Sequence, residues 1–146
     1  MGQLIDVVRS SLPVPEQMLL EGVRQTDTGI VVEVRSRTRP RCPTCAGSTV
    51  SYHSRYQRRL RDLPWQGRRV EIHLHTRRFR CRNTECRRRI FAEQLPAIVA
   101  RRARETCRFG DLVGATGYAL GGLPACRLLQ QFGLKVSRDT ILRRVK

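Results

Sequence analysis

The chain has 146 residues, 40% of them apolar and only 5% aromatic, which argues against one large core and for two small units, one held together by more than apolar burial. Its formal charge of +17 comes from 29 basic residues against 12 acidic ones and points to polyanionic partners. No apolar run is long enough to span a bilayer, and the start MGQLIDVVRSSL lacks the basic opening and long apolar stretch of a signal peptide, so a cytoplasmic, bacterial protein with no membrane partner and no small-molecule substrate is expected.

All the basic residues are arginine except Lys135 and Lys146. A GC-rich coding bias accounts for that ratio but not for the scarcity of acids. Arginine's planar fork binds phosphate bidentately and also reads guanine edges.

Residues 1–17 read as a lead-in ending at Pro13-Val14-Pro15. Residues 18–37 read as a hairpin that turns at Thr26-Asp27-Thr28-Gly29, with Ile30, Val32 and Val34 alternating against Val31, Glu33 and Arg35. A loop then holds Cys42-Pro43-Thr44-Cys45. VSYHSRYQRRLRDL follows as a strand, Pro64 and Gly67 mark a turn around Trp65, and RRVEIHLHTRRFRC is a second strand. In that strand Val70, Ile72 and Leu74 share one face, while Glu71, His73 and His75 share the other. It leads into a second thiol pair, Cys81 and Cys86.

Residues 93–105 read as a basic linker broken at Pro96, and the pattern beyond is helical. A first helix runs to Gly121-Gly122. A second, LPACRLLQQFGL, places Leu128, Leu129 and Phe132 inward and stops at Gly133. Ser137 is a good N-cap for a third helix, with Asp139 in its first turn. Ile141, Leu142 and Val145 lie on one side of it, and Arg138, Arg143 and Arg144 on the other.

Two constellations carry chemistry. Two close pairs of thiols on turns, Cys42 with Cys45 and Cys81 with Cys86, supply the four ligands of a closed tetrahedral Zn2+ site. The rival metal is iron in a rubredoxin-like tetrathiolate. With four thiolates the sphere is full, so one zinc ion would be structural. His53, His73 and His75 read as polar residues on exposed strand faces, and Cys107 and Cys126 as small buried hydrophobes. The second constellation is the helix–turn–helix over 123–146, whose capped last helix has the form of a major-groove reader. Arginine runs at 35–41, 55–61, 77–89 and 101–108 suit a phosphate-tracking surface, with solvated faces as the plainer reading.

The segments RSRTRPRCPTC, SRYQRRLRDLPWQGRRVEIHLHTRRFRCRNTEC, RRRIFAE and ALGGLPACRLLQQFGLKVSRDTILRR resemble the N-terminal region of the ISL-three family of insertion-sequence transposases. The resemblance runs from about residue 18 to the end. It implies metal on Cys42, Cys45, Cys81 and Cys86, and a recognition helix over Ser137 to Arg144. In that family a catalytic domain with three metal-binding carboxylates follows, whereas this sequence stops at Lys146. The fold class expected is α+β, a small zinc-ribbon-like antiparallel β domain over 18–92 followed by a three-helix helix–turn–helix domain over 106–146. The function expected is the DNA-binding region of a truncated transposase. It would bind terminal inverted repeats in double-stranded DNA through Ser137, Arg138, Thr140, Arg143 and Arg144, and would not be an enzyme. The alternative is a regulatory fragment that pairs with itself or with full-length transposase.

Overall fold

The computed structural model describes residues 17–146, so the lead-in read over 1–17 lies outside the described residues except for Gln17. Among the described residues five strands come first: β1 (Met18–Thr26), β2 (Gly29–Ser36), β3 (Tyr52–Trp65), β4 (Arg68–Arg80) and β5 (Ile90–Ala92). Three helices follow: α1 (Cys107–Leu120), α2 (Gly122–Gln131) and α3 (Arg138–Val145). The protein is α+β. Among the described residues no helix is long and apolar enough to cross a membrane.

The β1–β2 hairpin closes on Thr26, whose Oγ1 accepts from the Gly29 amide at 3.1 Å. The β3–β4 hairpin closes with Trp65 opposite Arg68 across Gln66 and Gly67. Both turn residues have positive φ, 48° and 74°, the mirror-image turn whose twist matches the strands and which glycine enters at no steric cost. Pro64 sits in an irregularity between Asp62 and Trp65 on an edge strand, where its missing amide leaves no ladder bond unmade.

The sheet order is β1-β2-β4-β3, with β5 pairing β4. The expectation of an antiparallel domain is corrected here: β2 and β4 are parallel neighbours, from Gly29 opposite Arg69 to Arg35 opposite His75. The reason is the cysteines. β2 leads into the first thiol turn and β4 into the second, so both strands run toward one point. β5, which lies inside the expected β domain but was not read as a strand, takes the same edge of β4 beyond the end of β2, pairing Arg78 to Arg80 with Ala92 to Ile90.

One face of the sheet carries Met18, Val32, Val34, Leu60, Val70, Ile72 and Leu74. It is covered by the stretch read as a basic linker, which sends Leu95, Ile98 and Val99 into that core. This strap runs back along the sheet. Glu93 bonds at Arg77, the Ala100 and Ala103 carbonyls accept from Arg58, and residues 104–106 exchange backbone hydrogen bonds with Arg61. A ten-residue apolar core of this kind contributes most of the sheet's stability, at roughly 1.5–3 kcal/mol per fully buried aliphatic side chain.

The helices form a second core of Phe109, Val113, Ala125, Leu129, Leu134 and Ile141, joined by Leu63 from β3. Of the residues expected inward on α2 only Leu129 is buried; Leu128 and Phe132 are exposed, Phe132 by 58%. The helix presents a single narrow stripe, Ala125 and Leu129, to α1 and α3, which leaves both flanks in solvent. On α3 Ile141 is buried, Leu142 is half-buried and Val145 is exposed. Cys107 and Cys126 are half-buried rather than buried. A Cβ at Gly117 would run into Ile141 and Val145, so α1 and α3 cross in near-backbone contact.

The helical unit is fastened to the turn end of the β3–β4 hairpin. Gly133, with φ 83°, lies against the Gly67 backbone. The Thr106 hydroxyl donates to Asp62 at 2.7 Å and accepts from the Phe109 amide at 3.3 Å, so one side chain both caps α1 and ties it to the sheet. Arg108 ion-pairs with the same carboxylate.

Candidate functional site

The far end of the β3–β4 hairpin holds the four cysteines. In the first turn the Cys42 amide donates to the Gly47 carbonyl at 2.9 Å and the Ala46 amide to the Cys42 carbonyl at 2.8 Å. Arg41 and Ser48 bridge the base of this loop. In the second turn the Glu85 amide donates to Asn83 Oδ1 at 3.0 Å and the Cys81 amide to the Arg89 carbonyl at 2.9 Å. Arg88 ties the two turns together by donating from Nε to Thr44 Oγ1 at 3.0 Å. Beneath them Phe79 and Phe91 pack with Cys42 and Cys86, so one wall of the site is apolar and dry.

The four sulfurs all lie within 4.8 Å of one another. Cys42 and Cys86 are 3.8 Å apart and Cys45 and Cys81 3.6 Å apart. Zinc–sulfur bonds of about 2.3 Å at tetrahedral angles require sulfurs about 3.8 Å apart, so the residues fit the ion. Their acidities say the same. Burial raises the Cys42 thiol, but the Cys45 and Thr44 amides and the Cys45 and Cys81 thiols bring it down to about 6. At Cys81 the Asn83 amide lowers the thiol, but burial and the thiols of Cys45, Cys42 and Cys86 push it up to about 12. Cys86 also lies above the ordinary thiol value; the Arg88 amide lowers it, against burial and the Cys45 and Cys42 thiols. One thiolate suppresses its neighbours. Four ionise together only around a cation, and Cys42, Cys45, Cys81 and Cys86 hold one structural zinc ion with no position left for water or substrate.

The histidines stand apart from this centre. His73 was read as exposed, yet its side chain is only 6% exposed. Its Nδ1 lies 3.1 Å from Glu33 Oε1 and its Nε2 2.5 Å from Glu71 Oε1. His75 Nε2 lies 2.9 Å from Glu33 Oε2. Burial works to raise the Glu33 carboxyl, but the hydrogen bonds and charges of His75 and His73 outweigh it and hold the carboxyl below its ordinary value. His53 bonds its neighbour Ser54 at 2.8 Å.

The residues expected to touch DNA sit on or beside α3. Ser137 caps the helix, accepting from the Thr140 amide at 3.3 Å, and its hydroxyl lies 2.9 Å from that of Thr140. Arg138 is exposed, and Arg143 is exposed while leaning back on the Asp139 carbonyl and Thr140. Arg144 differs from them: it ion-pairs with Glu105 and lies over Gly110, joining α3 to the strap and α1. Several members of the arginine runs are likewise structural. Arg77 pairs with buried Glu93 and donates to the Thr38 carbonyl at 2.9 Å, and Arg80 donates to the Tyr52 carbonyl at 2.9 Å. Arg80 is exposed all the same, and the run pattern alone did not separate half-buried Arg77 from exposed members such as Arg37, Arg55 and Arg82. Buried Glu93, an acid next to an alternating strand, was the available signal for Arg77.

Residues 38–86 match a family model described as the zinc-finger of transposase IS204/IS1001/IS1096/IS1165. The matched segment spans all four cysteines and the whole β3–β4 hairpin, and is similar to the zinc ribbon of those transposases. It ends before the helices. No curated protein and no solved structure matches the chain.

Proposed function

We propose that this chain is a DNA-binding region of an insertion-element transposase. The observation that carries the reading is the match of the cysteine-bearing segment to a transposase zinc finger in a chain of charge +17. In this reading α2, the turn at 132–137 and α3 act as a helix–turn–helix. The start of α3 enters the major groove, Arg138 and Arg143 contact DNA, and the target is the terminal inverted repeat of such an element. The exposure of both arginines and the well-formed Ser137 cap support that role. Arg144, paired with Glu105, supports the pose of α3.

The zinc ion would hold the end of the sheet and take no part in chemistry. Glu33 and Glu71, two carboxylates that meet at His73, are engaged by His73 and His75, which supports binding without cleavage. The test is fluorescence anisotropy on zinc-loaded protein with an element-end duplex and a scrambled duplex. Specific recognition predicts a preference of about 10³ or more for the element end. Equal affinity for the two would sink it. Incubation with magnesium or manganese should leave the duplex intact.

A further inference from the structure

At the turn end of the sheet, the polar face of β1 to β4 meets the turn after α2, and a groove of about 500 Å³ opens between them. Five cations line it: Arg24 from β1, Arg59 and Arg61 from β3, Arg69 from β4, and Lys135 from the turn. Two carboxylates also line it, and each is already engaged. Asp62 accepts from Thr106 and Arg108, and Glu71 is bonded by His73.

The cations are largely unengaged. The side chains of Arg59, Arg69 and Lys135 make no hydrogen bond or ion pair among the described residues, and all three are exposed. Arg24 has only a 3.4 Å contact with Glu33. Arg61 is held in place: it stacks over the Phe109 ring at 4.7 Å, donates to the Lys135 carbonyl at 3.3 Å and lies 3.7 Å from Glu105 Oε2, a carboxylate it shares with Arg144. Burial, with Arg69 and Arg144 close by, pulls its guanidinium below the usual value. On a convex solvated face such charges spread apart. Here they converge on a concavity, and Arg59, Arg69 and Lys135 have no carboxylate partner among the described residues, so a bound anion would relieve their mutual repulsion.

We propose that this groove seats the phosphodiester backbone of a DNA duplex. The inference rests on the DNA-binding reading above and adds the path of the backbone. Lys135 stands two residues before Ser137, the cap of α3. A strand whose bases meet the start of α3 therefore passes Lys135 and enters the groove, where the Arg59, Arg61 and Arg69 forks grip phosphate oxygens. These contacts carry no base information. They fix the height and register of α3 on the duplex.

The test is a salt titration of duplex affinity for the full zinc-loaded chain. One variant carries Arg59→Gln, Arg69→Gln and Lys135→Gln. A control carries Arg87→Gln, Arg101→Gln and Arg104→Gln, which removes the same charge from exposed positions outside the groove. At about 0.9 per phosphate contact, the groove variant should lower the slope of log affinity against log salt by about 2 to 3, equally for element-end and scrambled duplexes. The control should lower it by less than about 1. Equal slopes for the two variants, or an unchanged slope in the groove variant, would overturn the groove while leaving DNA binding in place. Binding of inorganic tripolyphosphate at micromolar levels, with no duplex binding by the unmodified chain, would overturn both and assign the groove to free polyphosphate.

Discussion

Replacing Asp62 by alanine should loosen the helical unit from the sheet while sparing the metal centre. The Asp62 side chain is 2% exposed and accepts from Thr106 Oγ1 at 2.7 Å, from Arg108 Nε at 2.7 Å and from a second Arg108 nitrogen. Removing one member of a buried, hydrogen-bonded ion pair costs about 3–5 kcal/mol, because the other charge is left without its partner. The Arg108 side chain is 27% exposed and can turn partly to water, which lowers the figure to about 2–4 kcal/mol. Thr106 has no such escape, being 1% exposed. Against a total stability of about 5–15 kcal/mol for a domain, the loss should be plain in a urea melt. Hydrogen exchange followed by mass spectrometry would locate it. Amides of 60–63 and 104–112 should exchange faster, while those of 42–49 and 81–91 keep their protection in the presence of zinc. A variant within about 0.5 kcal/mol of the parent, or a loss of protection spread evenly over the chain, would refute the view that this carboxylate is the main tie between the two cores.

Three further outcomes are expected. Zinc binding near pH 7 should release at least the protons of Cys81 and Cys86, whose thiols lie above the ordinary value, so affinity should climb by no less than about two decades per pH unit; calorimetry in buffers of differing ionisation enthalpy counts the protons, and release of one or none would contradict the thiol assignment. Gly117→Val should force α1 and α3 apart at Ile141 and Val145 and cost about 1–3 kcal/mol, read as a lower midpoint in thermal melts, with no change in zinc content. His75 and His73 hold the Glu33 carboxyl below its ordinary value, so it contributes stability at neutral pH that fades as the pH falls through the acid range; Glu33→Gln should flatten the acid side of the melting profile, and an unaltered profile would mean the histidine contacts carry nothing.

The metal centre was legible in the sequence because thiols on turns need no tertiary context to be recognised. The strand faces were legible too, since Val70, Ile72 and Leu74 alternate as a half-buried strand must. Alternation does not name a strand's neighbour, so the parallel contact of β2 with β4 was out of reach. The strap was missed for a different reason. Leu95, Ile98 and Val99 recur at a spacing that buries one side of a tight turn, but Pro96 and the flanking arginines drew the reading toward a linker. His73 was misplaced because its face of the strand looked polar and therefore wet. Glu33 from β2 and Glu71 enclose it, and only the strand register reveals that. The groove combines Arg24, Arg59, Arg69 and Lys135 from separate segments, and no window of sequence contains them together.

The β3–β4 hairpin also sets a distance. Its strands have 14 and 13 residues, and at about 3.3 Å per residue they span about 40 Å. The thiol turns sit at one end, and Gly67, Asp62 and the helical unit at the other. At about 3.4 Å per base pair, that is about one full turn of duplex. On the DNA-binding reading the hairpin is a ruler whose two ends can rest on the same side of a straight duplex. Deleting one facing pair, a single residue from each strand, would invert every side chain beyond it, whereas deleting two pairs keeps the faces and shortens the ruler by about 7 Å. Evolution within such a fold would change that spacing in steps of two residues per strand.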